Sequence, residues 1–198
     1  VLLVVGDSLS AGYGIDPAEG WVALLQERLE AGGYGYRVVN ASISGDTTTG
    51  GLARLPRALE LHRPAIVFIE LGGNDGLRAT PIGVIHDNLS AMARLAMEAG
   101  ARVILAGMQM PPNYGPRYTA RFAATYPAVA EALGTALVPF FLDHVALDAA
   151  LMQHDGIHPN AAAQPRLLDN AWPAIEQALR SLARDPGRRR GGAGSAAR

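Results

Sequence analysis

The sequence contains neither cysteine nor lysine, and both absences exclude classes of chemistry. Without cysteine there is no disulfide framework, no thiolate metal site and no cysteine nucleophile. The Gly-Lys-Ser/Thr signature of a phosphate-binding loop is missing as well. There is also no run of about 18 apolar residues, the length that a helix needs to span a bilayer. We therefore expect no stable insertion into a membrane.

Charge is scarce and unevenly distributed along the chain. Only 18% of the residues are charged, and the formal net charge is −1. Residues 184–198 carry five arginines and one aspartate, which leaves 12 arginines against 17 acids, a net charge of −5, for residues 1–183. A nucleic-acid binder would present a basic face. We therefore expect no nucleic-acid partner.

Length and composition favour one domain followed by a tail. A chain of 198 residues, 49% of them apolar, can bury one core of ordinary size. We assign residues 1–183 to that domain. Residues 184–198 are too poor in apolar residues to pack, and we expect a disordered tail or a cloning remnant. Because the chain starts without methionine inside a predicted strand, we expect any leader to have been removed or left out.

Short β-branched runs alternate with longer amphipathic stretches, which is the pattern of repeated β-α units. Because the short runs are apolar on both faces, they predict parallel strands that helices cover on both sides. Five strands are predicted, at Val1–Val5, Arg37–Asn40, Ala65–Leu71, Arg102–Gly107 and Ala136–Phe140. The predicted fold class is therefore α/β, a flavodoxin-like three-layer α/β/α sandwich around a five-stranded parallel sheet.

Helix signals lie between the predicted strands. Asp16-Pro17-Ala18-Glu19 is a capping box with proline at the first helical position, and it predicts a helix that begins there and buries Trp21. Apolar residues from Ile82 to Leu95 have helical spacing, and Gly100 is placed to end that helix. Further helices are predicted near residues 50–62, 117–133 and 166–183, and Pro173 is expected to break or kink the last one.

Polar or glycine-rich segments follow several of the predicted strands. In an open parallel sheet, ligands bind outside the carboxyl ends of the strands. Segments separated by as many as roughly 150 residues can therefore meet at one edge. Four segments are expected to converge there: Gly6–Ser10, Ser42–Asp46, Gly72–Asp75 and Asp155–Pro159. Their convergence is the main indication of an active site.

Ser8 is the candidate nucleophile, because it lies where the first strand turns into a loop. A serine hydroxyl needs a general base beside it, and histidine is the side chain best suited to that task near neutral pH. His158 lies in a rigid turn between Gly156 and Pro159, with Asp155 three residues earlier. That carboxylate can accept the Nδ1–H and leave Nε2 free for the serine proton. Alternatively, it only closes an Asx turn before the final helix.

The other four histidines fit that role less well. His62 lies at a helix end and His86 within an amphipathic helix, so both are expected to be solvated or structural. His144 and His154 are nearer to the site but lack an acid at a comparable spacing.

A serine esterase also needs donors aimed at the oxyanion, each worth roughly 10²–10³ in rate. Three candidates come from separate segments: the Ser8 backbone N–H, the Gly45 backbone N–H and the Asn74 side-chain amide. Glycine lets the main chain approach a ligand closely, although Gly and Asn are also ordinary turn residues. Asp7 and Asp75 are expected to orient the loops beside the site.

Taken together, these blocks resemble the SGNH (GDSL) hydrolase superfamily, and the likeness covers roughly residues 1–183. The resemblance implies Ser8 as nucleophile, His158 as base and Asp155 as the acid that orients it, with Ser8, Gly45 and Asn74 forming the oxyanion hole. It rests on four blocks in order, Gly6-Asp7-Ser8-Leu9, Gly45, Gly72-Gly73-Asn74-Asp75 and Asp155-Gly156-Ile157-His158-Pro159.

The same resemblance implies hydrolysis of carboxylic esters and thioesters, such as acyl-CoA, lysophospholipids and aryl esters. It implies an enzyme that needs neither a metal nor another cofactor. It also implies a periplasmic or secreted protein whose signal peptide has been removed. We expect a monomer that acts on a small acyl substrate.

The acyl or aryl group of the substrate needs an apolar wall. Met108, Met110 and Pro111, followed by Tyr114, are candidates for that wall, and Leu77 lies on a loop expected opposite to it. Asp7, next to the nucleophile, is a further candidate for substrate contact. Methionine is also common as core filler, and the two methionines fit that alternative as well.

Three other functions are alternatives to ester hydrolysis. A carbohydrate-ester deacetylase of the same superfamily would use the same serine chemistry. A flavodoxin-like binding module would need phosphate-cradling loops, but neither Gly12-Tyr13-Gly14 nor Gly72-Gly73 completes the G-x-G-x-x-G pattern. A metal hydrolase would need a histidine pair at i, i+4 with a glutamate, which the sequence lacks.

Overall fold

One parallel sheet of five strands forms the centre of the molecule, in the order β2-β1-β3-β4-β5. The structure, a computed structural model, describes residues 1–184, so nearly all of the predicted tail lies outside the described residues. The strands are β1 (Leu2–Gly6), β2 (Val38–Asn40), β3 (Ile66–Glu70), β4 (Arg102–Ala106) and β5 (Ala136–Val138). This confirms the predicted fold class, a five-stranded parallel sheet in an α/β protein.

Helices cover both faces of the sheet. On one face α2 packs against α7, and on the other α5 packs against α3 and α6. The helices are α1 (Ser8–Ala11), α2 (Trp21–Ala31), α3 (Thr48–His62), α4 (Gly73–Leu77), α5 (Ile82–Glu98), α6 (Pro116–Leu133) and α7 (Gln164–Ala183). Every residue of β1 and β3 is buried, as their apolar sequence on both faces requires.

Two helix predictions are wrong. Pro17–Glu19 forms a separate 3-10 turn capped by Asp16, and because Gly20 is extended, α2 begins only at Trp21. Pro173 does not break the last helix, which runs from Gln164 to Ala183 with buried residues on both sides of the proline. The free energy gained by packing the buried face of α7 on the sheet exceeds the cost of the one backbone hydrogen bond that Pro173 cannot donate.

Two short helices at the carboxyl edge of the sheet were not predicted. Ser8 begins α1 and Asn74 lies in α4, so neither residue lies in an open loop. The Asp7 side chain caps α1 by accepting a hydrogen bond from the Leu9 backbone. Helices of four and five residues are too short to show a hydrophobic period, which is why the sequence pattern misses them.

Trp21 joins α2 to the core beneath this edge and generates a prediction about stability. Its ring packs against Phe68 and Phe141, and its Nε1 donates to Ser10 Oγ at 3.2 Å. Trp21→Phe should lower the free energy of unfolding by about 2 kcal/mol, because it leaves a cavity and removes a buried hydrogen bond. Trp172→Phe, at a partly buried surface ring, is the control. Equal losses in denaturant unfolding would contradict the prediction.

Candidate active site

The strand order brings the predicted site segments to one edge. The crossover direction reverses between β1 and β3, which is where doubly wound sheets bind ligands. Ser8 follows β1 directly and Asn74 follows β3, while the loop after β2 carries Gly45. The segment before α7 brings His158 to the same place, where it contacts Ser8.

Ser8, His158 and Asp155 form an unbroken hydrogen-bonded series. His158 Nε2 lies 3.0 Å from Ser8 Oγ. On the other side of the ring, His158 Nδ1 lies 2.6 Å from Asp155 Oδ2. Because a carboxylate faces Nδ1, the favoured tautomer carries its proton there, and Nε2 is left to accept the serine proton. This arrangement can activate a serine hydroxyl as a nucleophile.

Asp155 combines the two roles that the sequence left open. Its Oδ1 accepts hydrogen bonds from the backbone of Ile157 and of His158, at 2.9 and 3.0 Å, which closes an Asx turn. Its Oδ2 binds the imidazole. The hydrogen bonds from the His158 backbone and ring, followed by that from Ile157, hold the pKa of Asp155 well below its usual range. The residue is therefore a carboxylate near neutral pH.

Gln153 and Tyr13 hold the loop of residues 154–160, called here the histidine loop because it carries His158. Sequence reasoning missed both residues. Gln153 N donates to the His158 carbonyl, and its Nε2 donates to the Tyr13 carbonyl, both at 2.7 Å. The Tyr13 ring packs on the imidazole with centroids 4.5 Å apart. Gly14 has a φ of +76°, and a Cβ there would collide with the Gln153 side chain. Gly12-Tyr13-Gly14 was the one sequence signal, weighed above only as a phosphate loop.

Asp7 connects Ser8, the candidate nucleophile, to Asn74, a candidate oxyanion donor, from below. Its Oδ1 accepts from the Leu9 backbone at 3.0 Å, and its Oδ2 accepts from Asn74 Nδ2 at 2.9 Å. The Asp7 side chain is therefore placed to orient both α1 and the Asn74 amide. Asp7 is only 2% exposed, so it lies beneath the site rather than on the surface that a substrate would touch.

A second buried acid, Glu70, lies under Asp7 and was also missed. Its Oε2 accepts from Ser10 Oγ at 2.7 Å and from the Asp7 backbone at 3.3 Å. Its Oε1 has no hydrogen-bond partner among residues 1–184. Burial first, and then the charge of Asp7, raise the pKa of Glu70 well above its usual range. Burial also raises the pKa of Asp7, to about 6. Both oxygens of Asp7 accept hydrogen bonds, whereas Glu70 Oε1 accepts none among residues 1–184, so Asp7 is the better stabilised of the two as a carboxylate.

The three candidate oxyanion donors come from the ends of β1, β2 and β3. Ser8 is the first residue of α1, where a backbone N–H has no partner within the helix. Asn74 lies in the first turn of α4, and its amide keeps a second proton besides the one given to Asp7. Gly45 is exposed with a φ of +80°, a backbone conformation that favours glycine.

Asp75 ties the neighbouring elements together, as expected for a loop-orienting acid. Its carboxylate accepts from Thr48 N at 2.8 Å and from Thr48 Oγ1 at 2.7 Å, which joins α4 to the start of α3. It is almost completely buried. Asp75 therefore fixes the position of the helix that carries Asn74.

The candidate wall residues fall into two groups. Leu77 is 38% exposed, and the half-buried Tyr114 donates from its hydroxyl to the Leu77 carbonyl at 3.2 Å. Pro111 is exposed beside them. Met108 and Met110 are only 5% and 9% exposed, and they pack beneath α4 against its glycines. The structure thus places Leu77, Pro111 and Tyr114 at the surface and places the methionines in the core.

The remaining histidines lie apart from Ser8. His86 and His144 each face a neighbouring aspartate, and His62 ends α3. His154 lines a cleft beside the histidine loop.

Residues 1–184 contain no group of three or more His, Asp or Glu side chains placed to hold a metal ion. In the same part of the chain, no helix has the length and apolar character to cross a membrane.

Comparison with known proteins assigns the family. Residues 4–166 match the model of the GDSL-like lipase/acylhydrolase family. The chain belongs to this family. The resemblance stated from the four sequence blocks is therefore confirmed.

Curated relatives and solved structures agree with this assignment. Esterase TesA of Pseudomonas aeruginosa is 60% identical over 90% of this chain and 89% of its own length. A crystal structure of TesA superposes with a TM-score of 0.88 over 89% of this chain and 98% of that one, at 59% identity. Arylesterase of Vibrio mimicus is 50% identical over 83% of this chain and 82% of its own. Thioesterase 1/protease 1/lysophospholipase L1 of Escherichia coli K12 is 45% identical over 87% of this chain and 81% of its own length.

Family and relatives also confirm the predicted reaction class. The chain is an ester-hydrolysing enzyme of the GDSL type. The alternative of a flavodoxin-like binding module is thereby set aside, although the strand order is the one that flavodoxins use.

The buried acid pair generates a prediction about pH. Because the pKa of Asp7 rises to about 6 in the folded protein, from 3.8, the folded state holds an extra proton between these values and loses stability as pH rises through them. Asp7→Asn removes this titration. Its stability relative to wild type should therefore increase by about 2–3 kcal/mol between roughly pH 4 and pH 7.

Denaturant unfolding at a series of pH values measures this difference, and a constant offset from the altered hydrogen bond does not affect its slope. Glu98→Gln, which removes one exposed carboxylate, controls for the change in net charge. Parallel stability curves for wild type and Asp7→Asn would contradict the prediction.

Proposed function

We propose that the enzyme cleaves carboxylic esters and thioesters through an acyl-enzyme intermediate on Ser8. The observation that carries the proposal is the series Ser8–His158–Asp155, with separations of 3.0 and 2.6 Å between the hydrogen-bonding atoms. A nucleophile, a base and the group that orients the base are thus within reach of one another before any substrate binds.

In acylation, Ser8 Oγ attacks the acyl carbonyl while its proton passes to His158 Nε2. The ionised Asp155 stabilises the imidazolium that forms. The carbonyl oxygen becomes an oxyanion, which accepts hydrogen bonds from the N–H groups of Ser8 and Gly45 and from the Asn74 amide. His158 then donates its Nε2 proton to the leaving alkoxide or thiolate as the C–O or C–S bond breaks.

Deacylation repeats these steps with water in place of the serine hydroxyl. Water gives a proton to His158 Nε2 and attacks the acyl carbon. The oxyanion forms again in the same hole, and Ser8 leaves with the proton that His158 returns. The products are the free acid and an enzyme in its starting state.

The direction of proton transfer sets the orientation of the substrate. Because His158 protonates the leaving group, that group must lie on the histidine side of Ser8. An open cleft of about 580 Å³ lies on that side and is lined by Tyr13, Gln153 and His154, among others. The acyl group is then directed past Asn74 toward Leu77 and its neighbours. The wall that we propose for it consists of Leu77, Pro111 and Tyr114.

We further propose that the enzyme is a monomer and acts in the periplasm or outside the cell. The family resemblance supports the location, and the absence of cysteine is compatible with it. Fractionation of cells that express the natural gene tests the location, and size-exclusion chromatography of the pure enzyme tests the monomer. Activity confined to the cytoplasmic fraction would contradict the first proposal, and a dimer the second.

Ser8→Ala should lower kcat for a nitrophenyl ester by at least about 10³-fold, because the nucleophile is lost. Steady-state kinetics on the purified, folded variant measures the effect. Ser181→Ala, which removes a hydroxyl that donates to the Ala178 carbonyl within α7, is the matched control and should stay within twofold of wild type. If the folded Ser8 variant keeps more than a few per cent of the activity, Ser8 is not the nucleophile.

Asn74→Ala should lower kcat by about 10²–10³-fold with little change in KM, because its amide acts chiefly on the developing oxyanion. Asn170→Ala is the matched control, since that amide holds two backbone carbonyls on another part of the surface. The control should lose stability rather than kcat. A change in KM alone for Asn74→Ala would make it a substrate-binding group instead.

Leu77→Ser should penalise long acyl chains more than acetyl esters. Each methylene buried against the wall contributes about 0.8 kcal/mol, which is a few-fold in kcat/KM if the transition state feels it. Series of kcat/KM against chain length for wild type and Leu77→Ser measure this. Met110→Ser is the comparison, because its buried side chain should change stability more than chain-length preference. Curves of the same shape for wild type and Leu77→Ser would place the acyl site elsewhere.

A further inference from the structure

One arginine behind Gly45 binds three groups, a carboxylate and two main-chain carbonyls. Arg54, on α3, binds the Asp46 carboxylate through Nε at 2.7 Å. Its two terminal nitrogens donate to main-chain carbonyls, one to Ala41 and the other to Gly6 at 3.2 Å. The side chain is about one-fifth exposed and Asp46 about one-tenth, so both are largely withdrawn from water. The guanidinium thus joins the end of β1 to both ends of the loop that carries Gly45.

The backbone of that loop is a tight turn that does not use the Gly45 N–H. Asp46 N donates to the Ile43 carbonyl at 3.1 Å, which places Gly45 at the third position of a four-residue turn. Its φ of +80° is the value that a type II turn requires there. The closing hydrogen bond uses the N–H of Asp46 and leaves that of Gly45 unused by the turn.

Both ends of this turn are attached to one point near the nucleophile. Ile43 N donates to the Gly6 carbonyl at 3.0 Å, and Arg54 donates to the same oxygen. At the other end, Asp46 is held by Arg54. Gly6 lies two residues before Ser8. Arg78 also donates to the Gly45 carbonyl, at 3.2 Å, but from an exposed position. Arg54 is therefore the largely buried side chain that links the Gly45 turn to the backbone near Ser8.

Gly50 shows that the Asp46 position is closely defined. A Cβ at residue 50 would collide with Asp46 Oδ1, so the carboxylate occupies the space that a side chain at residue 50 would fill. The same oxygen accepts a hydrogen bond from Thr47 N at 2.9 Å. Alanine is intrinsically the better helix residue. Glycine at residue 50 leaves the space that the Asp46 carboxylate occupies.

We propose that Arg54, through Asp46, is a positioning residue that fixes the Gly45 N–H as an oxyanion donor. The inference rests on the proposed function, because it requires an oxyanion beside Ser8. An oxyanion donor stabilises charge only when it is held at hydrogen-bond distance from the developing oxygen. The planar fork of arginine can hold three acceptors in fixed directions at once, which the single ammonium of lysine cannot do.

The first test compares two arginines on the same helix. Arg54→Met should lower kcat about 10- to 100-fold with KM within twofold, because complete loss of one donor costs roughly 10²–10³. Arg54→Lys should recover part of the loss by keeping the charge beside Asp46. Arg57→Met is the control, since Arg57 makes an exposed ion pair with Glu60 on the same helix, and it should keep the wild-type kcat.

A second pair of variants reaches the same turn without removing a charge. Gly50→Ala should lower kcat in the same way as Arg54→Met, although it improves helix propensity. Gly83→Ala, where a Cβ on α5 meets open space, should leave kcat unchanged. Because Arg54 and Gly50 act on the same carboxylate, the double variant should lose less than the product of the two single effects.

The readouts separate positioning from loss of fold and from failure of the proposed function. Thermal unfolding and titration of active centres with a phosphonate ester give the folded, reactive fraction to which kcat is normalised. If Ser8-dependent hydrolysis is present and normalised kcat of Arg54→Met equals that of Arg57→Met, or if only KM changes, the positioning role is overturned. If wild type shows no Ser8-dependent hydrolysis, the proposed function itself fails.

Discussion

The buried carboxylate of Asp7 is the contact on which the geometry of the site depends. Two separate parts of the candidate site, the helix that begins with Ser8 and the amide of Asn74, are hydrogen-bonded to its two oxygens. Burying a charge is costly unless it is well bonded. Burial raises the pKa of both Asp7 and Glu70, and a proton held on either carboxyl keeps two adjacent negative charges from being buried together.

Strand order makes this contact possible. Asp7 and Asn74 are 67 residues apart, yet they follow neighbouring strands, because β1 and β3 pair in register over their whole length. The chain reverses its winding at this pair, so no crossover helix covers the edge above it. Gly45, from the strand on the other side of β1, and His158, from the end of the chain, complete the site without disturbing the sheet.

Much of this arrangement could be predicted from the sequence. Buried strands are apolar on both faces, so β1 and β3 are recognisable, and Ser8, Asn74, Asp155 and His158 stand in blocks with recognisable chemistry. What could not be predicted depends on contacts across the fold. Glu70 reads as the end of an apolar strand, Gln153 has no local pattern, and Arg54 looks like any exposed helix arginine until the Gly45 turn packs against it. The proline positions predicted that α2 begins at Pro17 and that α7 breaks at Pro173. Both predictions are wrong, because tertiary packing sets the bounds of these helices.

The central claim is that one serine carries the acyl group between the two halves of the reaction. A phosphonate ester mimics the first half and stops there, so peptide mass spectrometry after its reaction shows directly which atom attacks. If Ser8 is the nucleophile, each chain gains one phosphonyl group, on the peptide that contains Ser8, in step with the loss of esterase activity. A stable adduct on any other residue, or complete inactivation without an adduct on Ser8, would contradict it.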